Sequence, residues 1–295
     1  MGSACRDNIT DASRHPCYSA DAQHKFARLH LPVAPACNIS CNYCNRKFDC
    51  VNESRPGVTS EVLGPETAAA KFAWVKGELS NLAVVGIAGP GDALANWSDT
   101  RRTLELIRSQ DPDVIFCLST NGLMLPEYAA EILALGIGHV TVTVNCIDPE
   151  IGAKIYCNVV YQGVSYEGIP AARLLLANQL EGIRLLVEGG VLVKVNIVMI
   201  SGINDLHIPA VVAKVKELGV FITNIMPMIP APGSAFQHLI QTSMRDVNAM
   251  RDLCQVEIRQ MRHCRQCRAD AVGLLADDRS AEYRMCRPPQ PPAAT

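Results

Sequence analysis

Cys37, Cys41 and Cys44 fall within eight positions in a C-x3-C-x2-C pattern, with Tyr43 immediately before the last thiol. Three thiolates hold three corners of a cubane [4Fe–4S] cluster and leave the fourth iron open to a small ligand that can be activated there. A structural zinc site calls for four closed ligands, usually as two C-x2-C pairs. The spacing therefore points to an iron–sulfur centre with an open coordination position.

Other residues carry related chemistry. Cys264-Arg265-Gln266-Cys267 is a C-x2-C pair, half of a zinc or cluster site. Cys17 and His24, a C-x6-H pair near the N-terminus, are candidate partners for it. Imidazole is a rarer cluster ligand than thiolate, and His24 alone reads equally as a polar residue near a strand start. Cys50 follows the triad on the same loop. Cys117, within Val114-Ile115-Phe116-Cys117-Leu118, reads on its own as a buried thiol. Ala88-Gly89-Pro90-Gly91-Asp92 is a glycine-rich stretch after an apolar run, where Gly89 and Gly91 let the backbone approach a ligand, although Pro-Gly is also a generic turn. Thr120, Thr143, Asn145 and Asn196 are polar residues in or just after apolar runs. They suit contacts to a ribose or a carboxylate, or equally a satisfied barrel interior. Thr143 and Asn145 share one face of their strand, whereas Val195 and Asn196 lie on opposite faces. Cys5, Cys146, Cys157, Cys254 and Cys286 are read as non-ligands.

The elements that position these residues alternate. Six apolar runs read as strands: 26–33, 82–88, 114–118, 140–145, 191–200 and 221–226. Helical stretches are expected at 65–79, 100–108, 126–135, 149–157, 169–188, 209–218 and 244–262. Strands alternating with helices imply an α/β fold with a parallel sheet and right-handed crossovers. An open doubly wound sheet and a barrel of six βα units both satisfy the pattern. In either, ligands gather at the C-terminal strand ends. The triad follows the first strand, so Gly89–Asp92, Thr120–Asn121, Asn145 and the region of Met226 are expected around one site. The organisation expected is an N-terminal extension (1–25), the barrel (26–262), and a C-terminal segment (263–295) with the C-x2-C pair and a Pro-rich disordered tail.

Composition narrows the setting. The 295 residues are 48% hydrophobic and 19% charged, with a net charge of −2, which argues against a nucleic-acid partner. No apolar run approaches the ~20 residues of a membrane span. There is no basic-then-apolar leader at the N-terminus. Thirteen cysteines in a chain expected to be cytoplasmic read as metal sites rather than disulfides.

The triad resembles the signature of the radical S-adenosylmethionine (SAM) superfamily. That resemblance implies an incomplete, splayed (βα)6 TIM-like barrel whose open cluster iron chelates SAM. It also implies that the backbone of Tyr43 contacts the adenine. The glycine-rich stretch, with Asp92, stands where many members carry Gly-Gly-Glu to hold the SAM amino group. The resemblance sharpens over His15-Pro16-Cys17…His24, residues 35–57, residues 86–92 and residues 264–273. Together these are similar to the NifB family of nitrogenase cofactor maturases, in a short stand-alone form without an appended NifX-like domain.

The family resemblance implies three [4Fe–4S] clusters. One at the triad binds SAM. Two are substrates, held by Cys17, Cys264 and Cys267, and by His24, Cys50 and Cys117. It implies transfer of a SAM methyl group to a substrate cluster and hydrogen abstraction from that methyl by a 5′-deoxyadenosyl radical. Fusion with one added sulfur then gives an [8Fe–9S–C] precursor. Glu53 is a candidate proton acceptor, or a solvated loop carboxylate. The partners implied are iron–sulfur donor proteins and the carriers and scaffolds of nitrogenase cofactor assembly. The rivals are a radical SAM enzyme with auxiliary clusters acting on an external substrate such as a peptide, a non-catalytic iron–sulfur carrier, and a zinc-stabilised binding module.

Overall fold

A computed structural model describes residues 11–52 and 57–285. Glu53, Cys5, Cys286 and the Pro-rich end lie outside the described residues.

The six expected strands all form: β1 (Ala27–His30), β3 (Leu82–Ile87), β4 (Ile115–Thr120), β5 (His139–Thr143), β8 (Leu192–Met199) and β9 (Ile222–Pro227). They pair in parallel in the order β1-β3-β4-β5-β8-β9. This order settles the choice that periodicity left open. A doubly wound sheet reverses its strand order partway. Here each strand is laid beside its predecessor, which curls the sheet one way, and β1 and β9 stay unpaired with each other. The result is a partial TIM-like barrel.

Helices α1 (Pro65–Glu78), α2 (Trp97–Gln110), α3 (Leu125–Ala134), α4 (Pro149–Ile155), α5 (Gly168–Glu188) and α6 (Ile208–Glu217) fill the crossovers. Their starts carry recognisable signals. Pro65 opens α1 with Glu66 in its first turn, and the Asp148 carboxylate accepts from the Glu150 amide to cap α4. Outward-facing strand residues such as Leu29, Val85, Phe116, Val140 and Val195 pack against the helices in one large core. None of these helices, nor any other among the described residues, is long and apolar enough to cross a membrane.

Two expectations are corrected. The helix expected over 149–157 ends at Ile155, and the segment after it, where no element is expected between 157 and 169, holds a hairpin, β6 (Tyr156–Tyr161) and β7 (Val164–Glu167). Gln162 and Gly163 both have positive φ, 50° and 78°, the two-residue turn that matches strand twist. β6 pairs with β2 (Ile39–Cys41), which is part of the triad loop, so this hairpin holds the cluster loop in place. The last helix, α7 (Met244–Cys254), stops well short of residue 262. Beyond it the chain runs along the free edge of β9, where Thr223 donates to the Arg259 carbonyl and accepts from the Met261 amide. An unpaired strand edge presents backbone groups that need partners, and this segment supplies them.

The two ends close the barrel. β10 (Val272–Leu274) pairs antiparallel with β1 and carries β11 (Asp277–Asp278), extending the main sheet. At the other end Tyr18 is buried, and its hydroxyl donates to the Val140 carbonyl inside the barrel.

Candidate functional site

Cys37, Cys41, Cys44 and Cys50 line one cavity at the C-terminal strand ends. The same cavity is lined by Tyr43, Gly91, Asp92, Thr120 and Thr143. The glycine-rich strand end is tied directly to the cysteine loop. The Gly91 amide donates to the Ala34 carbonyl, that of Asp92 to the Ala36 carbonyl, and that of Cys50 to the Pro90 carbonyl. A Cβ on residue 91 would lie 2.1 Å from the Ala36 oxygen, so only glycine permits this approach.

Asp92 serves this junction. Its carboxylate accepts from the Thr120 hydroxyl and from the amides of Leu94, Ala95 and Asn121. Burial raises its pKa, and those hydrogen bonds oppose the rise. Asn121 turns its amide nitrogen toward Cys37 Sγ, at 3.8 Å, and donates to Asn38 Oδ1. Asn121 belongs to the cavity as the strand-end pattern leads one to expect, and Ser119 joins it, which sequence reasoning did not single out. The signal was their place at the polar end of an apolar strand.

The other expected contacts lie elsewhere. The Val195 side chain faces the helices in the core, because alternation along β8 turns it away from the barrel interior. Asn145 is fully buried, donating to the Tyr43 hydroxyl and accepting from the Val198 amide. Asn196 donates to the Asn52 carbonyl and accepts from Asn224. These two asparagines and the Tyr43 hydroxyl, which donates to Asn52, form the frame under the cluster loop. Gly89 is likewise absent from the cavity wall.

Deeper in the barrel a second cavity is lined by Cys17, Cys117, His15, Arg28, His30 and Lys194, among others. Ala88 and Ser119 line both cavities, so the two share a wall. Cys117 sits in the middle of β4, level with Gly86 and His139. His24 is exposed and lines neither cavity. Two imidazoles line the chamber with the thiols: His15, whose Nδ1 accepts from the Cys17 amide, and His30. The Nδ1 of His30 lies 3.0 Å from the Arg268 carbonyl, which can only accept, so Nδ1 carries the proton. Burial, then the nearby Arg28, lowers its pKa to about 4, which leaves Nε2 as a bare donor atom. A ring held this way is the usual arrangement of a metal-binding histidine. The sequence signal was available: His30 ends the strand that delivers the triad.

The C-x2-C segment packs on the triad loop. The Ala269 amide donates to Asp49, and Asp270 accepts from the Ser60 amide and hydroxyl. Cys264 packs against the core under the triad loop, its Sγ 4.0 Å from Met226 Sδ, and Cys267 Sγ accepts from Arg28 at 3.4 Å. The thiol influenced by the pair is Cys17, whose pKa both Cys267 and Cys264 raise, whereas the thiols acting on Cys50 are those of the triad.

Burial dominates the thiols. It pushes Cys37 up to about 11, with Asp92 adding to the effect, and Cys17 up to about 12, where Lys194 and Arg28 pull the other way. It also raises Cys41 and Cys50, and neighbouring cysteines raise both further. Metal binding must therefore displace protons from these groups. Among the described residues no three His, Cys, Asp or Glu side chains converge as a site for a single metal ion. Soft thiols spread around a cavity wall, next to a glycine that admits close backbone approach, fit a cubane that presents its corners separately.

Comparison with known proteins agrees. Residues 31–215 match the family model of the radical SAM superfamily. The chain is similar to the FeMo cofactor biosynthesis protein NifB of Herbaspirillum seropedicae, 54% identical over 91% of this chain and 52% of the relative. It is also similar to the NifB proteins of Klebsiella pneumoniae, 51% identical over 95% of this chain and 60% of the relative, and of Azotobacter vinelandii, 49% over 92% and 55%. The chain thus spans between half and about three-fifths of the length of these relatives. Among solved structures, Streptococcus suis SuiB matches with a TM-score of 0.56 at 14% identity, covering 81% of this chain and 50% of that one. Methylornithine synthase (PylB) matches with a TM-score of 0.54 at 13% identity, covering 88% and 71%. At such identities these two speak for the fold alone. With three thiols at the mouth of a partial barrel, a glycine-rich strand end tied against them and the family model matching across this core, the chain belongs to the radical SAM superfamily.

Proposed function

We propose that this chain is a radical SAM maturase of FeMo-cofactor biosynthesis. It fuses two [4Fe–4S] substrate clusters, with insertion of a SAM-derived carbide and one added sulfur, into the [8Fe–9S–C] precursor of the nitrogenase cofactor. The observation that carries this reading is the wall shared by two cavities, one lined by the triad, the other by a separate set of metal-binding side chains.

Cys37, Cys41 and Cys44 would hold the SAM cluster. Bound there, cluster and SAM supply a 5′-deoxyadenosyl radical. Gly91 admits the ligand close to the backbone, while Asp92, Thr120 and Asn121 fix the strand ends around it. Val51 and Ile39 give the cavity apolar walls that limit water. Tyr43, braced by Asn52 and Asn145, keeps the loop rigid, so that reacting atoms stay within the ~3–3.5 Å needed for reaction. Glu53 remains a candidate proton acceptor.

The thiol sets follow those implied by the family resemblance, with one change of histidine. Cys17, Cys264 and Cys267 would hold one substrate cluster; both thiols of the C-x2-C pair act on Cys17 and raise its pKa. Cys50 and Cys117, with His30 in place of the exposed His24, would hold the other. Three ligands per substrate leave an iron corner free, as release requires. The eleven described cysteines are all free thiols, which suits a reducing cytoplasm. Iron–sulfur donors, and the carriers and scaffolds of cofactor assembly, would supply and receive the clusters.

The test follows the methyl carbon. The protein is loaded with iron and sulfide without oxygen, then given reductant and SAM labelled in its methyl group. Label in the extracted cluster, with S-adenosylhomocysteine and 5′-deoxyadenosine both formed, is expected. 5′-Deoxyadenosine with an unlabelled cluster would transfer the assignment to an external substrate such as a peptide. Intact SAM would leave a cluster carrier.

A further inference from the structure

Arg28 lies inside the barrel on β1, 2% exposed. Its Nη1 donates to the carbonyls of Gly273 and Leu274, both at 2.6 Å, and its Nη2 to Cys267 Sγ. None of these partners is a carboxylate, and Nε has no partner. A buried guanidinium held only by neutral groups is costly, and an anion beside it offsets that cost. Asp278 is near enough to influence Cys267, but it is exposed and accepts from the Val272 and Ser280 amides.

Lys194, 4% exposed, lines the same chamber, and no Asp or Glu among the described residues does. Thr141 Oγ1 and His15 Nε2 in the chamber wall are buried without hydrogen-bond partners. The chamber is thus a cationic polar pocket inside an apolar barrel. Arg28 stands at its edge, lining it beside Cys17 and Cys117 while donating to Cys267 of the C-x2-C pair.

Resting on the reading above, we infer that Arg28, with Lys194, is the counter-charge shared by the two substrate clusters, offsetting the repulsion between them as they are brought together for fusion. Clusters ligated by thiolates are anions, and like charges in a low-dielectric interior repel strongly. Arg28 donates to Cys267 of one ligand set and lines the chamber beside Cys117 of the other, so one cation acts on both. It also donates to a ligand sulfur, and hydrogen bonds to sulfur and net charge are two of the factors that set cluster potential. Arg28 and Lys194 are therefore positioning residues that make both clusters easier to reduce.

The test is a potentiometric titration of the loaded protein, followed by electron paramagnetic resonance without SAM. In Arg28→Gln the equilibrium constant for one-electron reduction of the non-triad clusters falls about tenfold or more, about 59 mV for a one-electron couple. Arg28→Lys restores it. Lys194→Met, which leaves the Gly273 and Leu274 contacts intact, shifts it in the same direction by a smaller factor. The triad cluster moves less than the other two. A purely structural Arg28 would lower the melting temperature and leave the potentials in place. Clusters present at full iron content with unchanged potentials in Arg28→Gln and Lys194→Met overturn the inference. Wild-type protein that takes up the triad cluster alone overturns the maturase reading, and this inference with it.

Discussion

His30 and His24 show what residue type can and cannot decide. Both are histidines near thiols in the chain, but one faces a cavity with its Nδ1 proton committed to a carbonyl and the other stands in solvent. In protein loaded with iron, His30→Ala is expected to abolish nitrogen coupling in the pulsed resonance spectrum of one cluster and lower iron content by up to about a third. His24→Ala should leave both unchanged, and the reverse result would return the ligand role to His24. His139 supports a second prediction. It is fully buried between Tyr18 and His15, with neither ring nitrogen hydrogen-bonded. Burial, with Lys194, lowers its pKa to about 3, while Asp11 opposes the shift. Above pH 6.5 both folded and unfolded states are neutral there. Below it, the unfolded chain binds a proton that the folded one refuses until about pH 3, so stability falls with pH by about 1.4 kcal/mol per unit. In metal-free protein unfolded by urea, His139→Phe should therefore gain about 2 kcal/mol on wild type between pH 7 and pH 5. A constant difference across that range would contradict the buried neutral imidazole.

At the scale of elements, the hairpin of β6 and β7 has no catalytic side chain, but it supports the site. Its pairing with β2 fixes Ile39–Cys41, and the Asn42 amide and side chain donate to the carbonyls of Ile155 and Lys154. Replacing residues 157–166 by a short Gly-Ser turn should leave the barrel folded, since the six parallel strands do not pair with the hairpin. The triad cluster should then lose iron to a chelator at least tenfold faster. Equal loss rates would show that the strand-end contacts of Gly91 and Asp92 suffice. The hairpin was legible in principle, as alternating residues around Gln162-Gly163. It was overlooked because helix-like stretches flank it and its residues pair with a loop distant in sequence.

At the scale of the molecule, the barrel depends on both ends of the chain. Truncation after Arg262 would remove β10, Cys264 and Cys267, expose the edge of β1, and leave Arg28 without its two carbonyl acceptors. An unpaired edge strand invites association between chains. The truncated protein is expected to aggregate on light scattering and, where recovered, to bind no more iron than about two-thirds of the wild-type amount. A monodisperse truncated barrel with full iron content would refute both the closing role of β10 and the ligand role of the pair.

By itself the sequence determined the alternation of strands and helices, the parallel sheet and the cluster triad. These are local properties. Apolar periodicity and thiol spacing within one loop are written over a few consecutive residues, and a family pattern can be recognised from them. The tertiary structure alone decided that the strands curl in sequential order, that Val195 turns toward the helices, and that Cys117 faces Cys17 and His30. It also decided that residues 259–261 leave the helix to pair with β9. Each of these depends on which elements become neighbours in space. Side-chain direction follows strand alternation and hydrogen-bond demand follows free edges, and both act between segments far apart in the chain.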